Sequence, residues 1–162
     1  MTVAQLARDA VEIRLDGLEH PDVHALLAEH LRNMHELSPP ESVHALGIEA
    51  LRQPDVTFWT GWLQDHLLAC GALKELTPVH GEIKSMRTAA THRRRGAARL
   101  MLEHIIGEAR RRSYARLSLE TGASAAFAPA RHLYEQFGFS YCGPFGDYGP
   151  DPNSTFMTRR LP

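Results

Sequence analysis

The chain has 162 residues, 43% of them hydrophobic and 23% charged, with a formal net charge of −1. That length suits a single domain spanning residues 1–162, able to bury ~70% of its unfolded surface. The near-neutral balance excludes a chain-wide attraction to nucleic acid or to anionic membrane, so any basic function must be local.

Val11 to Leu18, VEIRLDGL, alternates apolar and polar residues and predicts a first strand. Pro21 then starts a helix whose apolar positions Val23, Leu26, Leu27, Leu31 and Met34 recur with helical spacing up to Leu37. Ser38-Pro39-Pro40-Glu41-Ser42 breaks it and supplies a cap for a second helix from about Glu41 to Arg52. Strands follow at Val56 to Leu63 and Leu67 to Leu76, joined by the short polar turn Gln64-Asp65-His66. Beyond Pro78, Gly81 to Thr88 reads as a fourth strand. THRRRGAA leads into a periodic helix with Leu100, Met101, Ile105, Ile106 and Ala109 along one face. Ala115 to Thr121 is a fifth strand, and Pro129 to Phe137 a helix ended by Gly138. Phe139 to Gly143 and Thr155 to Leu161 close the chain as strands. The order is β-α-α-β-β-β-α-β-α-β-β, a mixed α/β domain with no internal repeat. A strand-helix-strand unit between residues 82 and 121 requires the fourth and fifth strands to be parallel and adjacent.

The two cysteines, Cys70 and Cys142, form no CxxC pair and read as small apolar fillers. No run approaches the ~20 apolar residues of a membrane span. The N-terminus MTVAQLARDA lacks the order of a secretion signal, so a cytoplasmic protein with no membrane partner is expected. His20 and His24 have metal-ligand spacing on a helix, but no HExxH accompanies them and no metal is expected.

The stretch Arg93-Arg94-Arg95-Gly96-Ala97-Ala98 joins the fourth strand to its helix. A helix start there exposes unpaired amides and partial positive charge, a natural seat for pyrophosphate. Gly96 permits a positive φ, Ala97 and Ala98 keep the first turn small, and the arginines can neutralise phosphate charge. Nothing aromatic interleaves the run, which argues against nucleic acid as partner. The segment matches the (Gln/Arg)-x-x-Gly-x-(Gly/Ala) signature, and Ala130-Arg131-His132-Leu133-Tyr134-Glu135-Gln136-Phe137-Gly138-Phe139 looks like an A-x-x-L-Y-x-x-x-G-F segment. On both counts the chain resembles the Gcn5-related N-acetyltransferases, the GNAT superfamily. GEIK, LETG, LYEQFGF and Pro152 to Met157 together are similar to a bacterial subgroup often labelled indoleacetate-acetyltransferase-like.

The resemblance implies a mostly antiparallel twisted sheet of about seven strands, splayed between its fourth and fifth strands, with helices on both faces. It implies acetyl-CoA as cosubstrate and a small amine or peptide acceptor, with a homodimer as one assembly. The pyrophosphate would rest on the turn Arg93, Arg94, Arg95, Gly96, Ala97 and Ala98, and the pantetheine arm beside the backbone of Met86 and Thr88. Tyr134 takes the place of the family tyrosine near the CoA sulfur, and the Met86 N–H that of the oxyanion donor. Glu82 falls where some members carry a general base and shares a strand face with Lys84, Met86 and Thr88 in an unbroken alternation; Glu120 is its rival. Phe127 stands where many members carry asparagine, with Thr121 or Ser124 as substitutes. Arg32, His35, Trp59 and the segment Phe145-Gly146-Asp147-Tyr148 are the acceptor-pocket candidates. A CoA-binding sensor with the same fold is the alternative function.

Overall fold

In a computed structural model that describes residues 10–93 and 95–162, the alternating segments become seven strands. They are β1 (Val11–Leu15), β2 (Val56–Leu63), β3 (His66–Thr77), β4 (His80–Thr88), β5 (Arg116–Gly122), β6 (Ser140–Cys142) and β7 (Ser154–Arg160). The helical periods become α1 (Pro21–Leu37), α2 (Ile48–Leu51), α3 (Ala97–Arg111) and α4 (Ala128–Gln136). One sheet has the order β1-β2-β3-β4-β5-β7-β6, antiparallel at every step except β4 to β5. The crossover through α3 leaves that one pair parallel, as the strand-helix-strand pattern requires.

Successive strand residues point to opposite faces, so Phe58 and Trp59, or Ala72 and Leu73, serve two separate cores. Val23, Leu26 and Leu27 of α1 and Leu51 of α2 pack with Phe58, Trp62 and Ala72 on one face. Met101, Leu102 and Ile105 of α3 and Tyr134 of α4 pack with Leu73, Ile83, Leu117 and Met157 on the other. The stripe on α3 runs through Leu102 rather than Leu100, which is only half-buried. Among the described residues no helix is long and apolar enough to cross a membrane.

The structure corrects three local expectations. The first strand stops at Leu15, because Asp16 Oδ1 accepts the Leu18 N–H at 2.7 Å and turns the chain, with Leu18 at φ 62°. The predicted helix from Glu41 to Arg52 is only a 3-10 turn at Pro40–Ser42 and the single turn of α2. Tertiary partners take the groups that a helix would use: Ser42 Oγ donates to Asp151 Oδ2 at 2.6 Å, and the His44 carbonyl accepts Lys84 Nζ at 3.0 Å. The third correction lies in β4. Cys70 pairs with Arg87 and Ala72 with Lys84, so Ser85 and Met86 together oppose Gly71 as a β-bulge.

Ser85 adopts φ 54° to make the bulge, an uncommon conformation for a residue with a side chain. Gly71 makes room for it, since a Cβ there would meet Met86 Sδ at 2.8 Å. The bulge shifts the alternation by one residue. Met86 therefore joins the α3 core, while Arg87 shares the α1 face with Glu82 and Lys84.

Leu117 sits fully buried near the start of β5, in the core shared with α3. Leu117→Ala should cost ~2–5 kcal/mol in urea unfolding, and an unchanged midpoint would contradict this placement of the core.

Candidate active site

The parallel ladder between β4 and β5 is short. It pairs His80–Ile83 with Arg116–Leu119 and stops. From there β4 follows β3 as far as Thr88, while β5 follows β7 as far as Gly122. The two strands part, and a cavity of about 560 Å³ opens between them. Residues 83–88 form one wall and Glu120, Thr121, Gly122 and α4 the other; α1 and the segment 42–45 border its mouth.

The arginine-glycine turn stands at one end of this cavity. Gly96 takes φ 92°, ψ 8°, the left-handed region that favours glycine, and caps α3. The Leu100 N–H is bonded to the Gly96 carbonyl at 3.1 Å, so the amides of Ala97, Ala98 and Arg99 lie ahead of the first helical bond. Ala97 is buried against Leu68 and Ala69, whereas Ala98 and the exposed Arg93 line the cavity. Arg95 donates to His92 Nδ1 at 3.0 Å. Arg94 lies outside the described residues. Met86 and Thr88 line the cavity at the parted edge of β4.

Tyr134 reaches the cavity from α4, 7% exposed, with its ring edge-on to Phe139. Burial raises its phenol above the ordinary value, so the proton stays on at neutral pH. Phe127 lies against the backbone of Gly122, where a Cβ would come within 2.1 Å of the ring. The asparagine position is thus an apolar wall, with Thr121 beside it on the lining.

The two carboxylates part company. Glu82 is buried and bound up with its neighbours: Tyr148 Oη donates to Glu82 Oε2 at 2.5 Å, and Lys84 Nζ lies 3.4 Å away. Lys84 also donates to Tyr148 Oη at 2.9 Å and stands over the same ring. Burial and the Glu82 charge push the Tyr148 phenol up, which keeps it a donor. Lys84 and Glu120 line the cavity, and Glu82 sits behind them. Burial raises the Glu120 carboxyl above its ordinary range.

Trp59 is a core residue, edge-on to His104, and not part of an acceptor pocket. Arg32 and His35 point to solvent, and α1 instead brings His30, Asn33 and Met34 to the cavity. Of the segment 145–148, Tyr148 reaches the site through Lys84 and Glu82. The sequence reading missed His30, Asn33, Ser85 and Arg87. Its available signal was a pair of polar residues, His30 and Asn33, three apart on the inner flank of an apolar helix. Cys70 is a filler, fully buried with its thiol pushed up to about 12 by burial. Among the described residues no group of three or more His, Cys, Asp or Glu is placed to hold a metal ion.

The profile of the Acetyltransferase (GNAT) family matches residues 21–139. The chain is 60% identical to the uncharacterized N-acetyltransferase YsnE of Bacillus subtilis (strain 168), over 93% of its own length and all of that relative's. It is 39% identical to the IAA acetyltransferase of Azospirillum brasilense, over 84% of this chain and 88% of the other. A GNAT family acetyltransferase from Elizabethkingia anophelis with acetyl-CoA bound superposes with a TM-score of 0.68 at 19% identity, covering 94% of this chain and 99% of that one.

Burial, followed by the Arg87 charge, lowers the His30 ring to about 4, with Glu29 opposing. Between about 6.5, the ordinary value, and about 4 the unfolded chain binds more protons than the fold, so stability should drop as pH falls through that window. His30→Gln should flatten that part of the profile in urea titrations, and nitrogen NMR should find the ring neutral at pH about 6. A ring titrating near its ordinary value would contradict the burial.

Proposed function

Because the chain belongs to the GNAT acetyltransferase family, we propose that it transfers the acetyl group of acetyl-CoA to a primary amine of a small molecule or peptide. The reading is supported above all by the wall of one cavity that carries an unpaired strand edge, a phenol held in its protonated form and a carboxyl of raised pKa. Acetyl-CoA supplies the activated thioester; the remaining requirements fall on this chain.

The parted edge of β4 at Met86 and Thr88 offers main-chain groups to an extended pantetheine arm, as an added strand would use them. The amides at the start of α3, with Gly96 and the small residues after it, suit a pyrophosphate. Arg93 and Arg95 add charge at its rim; Arg94, between them, lies outside the described residues. The Met86 N–H, within the bulge, is the donor for the carbonyl oxygen as negative charge builds on it.

An acceptor ammonium must lose a proton and the departing thiolate must gain one. Tyr134 is suited to the second task, since burial leaves it protonated and its hydroxyl has no hydrogen-bond partner among the described residues. For the first, Glu120 borders the cavity and Glu82 does not, so we assign the base to Glu120, acting directly or through water. Glu82 then serves by fixing Tyr148 and Lys84 behind the wall. This use of acetyl-CoA supports the bacterial cytoplasm as its place of action.

Release of free thiol from acetyl-CoA across an amine panel tests the reading. Tyr134→Phe should lower kcat ~100-fold or more, with little change in the KM for acetyl-CoA. The acid limb of kcat/KM should lie above the ordinary carboxylate range, because Glu120 must ionise to act, and Glu120→Gln should abolish that limb. Gly96→Val should raise the KM for acetyl-CoA more than Arg93→Ala does, since a β-branched residue resists φ 92°. A protein that binds acetyl-CoA yet keeps all turnover in both Tyr134→Phe and Glu120→Gln would contradict these roles.

A further inference from the structure

Three buried polar atoms on the cavity wall lack a hydrogen-bond partner among the described residues: His30 Nδ1, Ser85 Oγ and Arg87 Nε. His30 and Ser85 are each 8% exposed, and all three residues line the same cavity. They come from α1 and from the bulge of β4. A buried polar atom left unpaired costs ~1–3 kcal/mol, so three on one wall call for something that arrives there.

Their chemistry narrows what that is. Each end of the Arg87 guanidinium has a partner: Nη1 donates to Asn33 Oδ1 at 3.2 Å and Nη2 to Glu29 Oε1 at 2.9 Å. Its Nε–H has none among the described residues, and it can only donate. Ser85 can donate as well, and the bulge sets the backbone from which its hydroxyl projects. His30 is neutral at pH 7 and can offer its Nδ1 as N–H, so the wall adds donors without adding a free charge. Donors of this kind on one wall suit an sp² oxygen, and the Arg87 Nε–H offers an ammonium nothing to bind. Beyond them, Met34, Leu37 and Val43 supply an apolar stretch, and Glu120 borders the cavity from the β5 side.

We propose that the acetyl acceptor is bifunctional, an amine that also carries a carboxylate or carboxamide, whose oxygen is seated by His30, Ser85 and Arg87. The inference rests on the acetyl-transfer reading and adds the class of acceptor to it. The amine end faces Glu120, and the oxygen end fixes how far along the cavity the nitrogen sits. The three residues are specificity determinants and take no part in proton transfer.

A length series decides the matter: glycine, β-alanine and 4-aminobutyrate, their carboxamides, and n-alkylamines of matched length, each with acetyl-CoA and free-thiol detection. The acids or the amides should exceed the alkylamines in kcat/KM by about tenfold or more, mainly through KM, with an optimum at one chain length. Preference for acids over amides would identify a carboxylate; equal use would identify the carbonyl oxygen that they share. Ser85→Ala and His30→Phe should each shrink the ratio of acid or amide to alkylamine by up to about tenfold. Arg87 is left in place because it also ties β4 to α1. Alkylamines used as well as acids and amides by the unaltered enzyme would overturn the proposal, as would variants that depress every acceptor alike. That result leaves acetyl transfer standing. If instead no amine releases thiol, the acetyl-transfer reading fails. Calorimetry of 4-aminobutyrate and 4-aminobutyramide against butylamine with CoA-loaded protein then decides the subsite alone, and equal binding would overturn it.

Discussion

Everything in the site follows from how briefly β4 and β5 stay together. Four residue pairs join the two halves of the sheet, and each strand then follows its outer neighbour. A parallel pair that ran on to Thr88 would close the cavity and satisfy the edge that now faces it. The bulge at Ser85 and Met86 lies where the separation begins, and bulges bend a strand and increase its twist. Its cost in backbone strain is small and local. What it gains is an open strand edge in the middle of a sheet, with α3 starting at one end of the gap and α4 roofing the other.

A second polar system holds the mouth in shape. Lys84 bridges the His44 carbonyl, Tyr148 and Glu82, and so ties the segment after α1 to the segment before β7. Ser42 and Asp151 repeat the connection nearby. Burying Glu82 and Lys84 is tolerable because both are paired and hydrogen-bonded, and removal of one partner would strand the other. The rings of Phe145, Tyr148 and Phe156 fill the space behind them. The loops around the cavity are therefore set by side-chain bonds across long sequence separations, not by their own propensities.

That distinction explains what could be read in advance. Periods of two and of 3.6, the crossover rule and the glycines at 96 and 138 depend on near neighbours, and they revealed the strands, the parallel pair, α3, α4 and the helix caps. Both glycines do adopt positive φ. The helix expected from Glu41 to Arg52 failed because Lys84, forty residues away, claims the carbonyl of His44. The unbroken alternation expected from Glu82 to Thr88 failed because a bulge depends on Gly71 in the neighbouring strand. For the same reason Arg87 faces α1; Glu82, which precedes the bulge, is instead covered by Tyr148 and Lys84. Ser85 has no local signature, and the spacing of His30 and Asn33 says only that both lie on one flank of α1; the packing of α1 on β4 brings the three to one cavity.

Hydrogen exchange of the backbone amides, with and without a saturating concentration of CoA, tests the open edge most directly. If β4 receives an added strand beyond Ile83, protection should rise at residues 84–88 and at the first amides of α3. Residues 80–83, already paired to β5, should change little. Protection that spares residues 84–88, or that appears only at surfaces remote from the gap, would contradict a site built on the parting of these two strands.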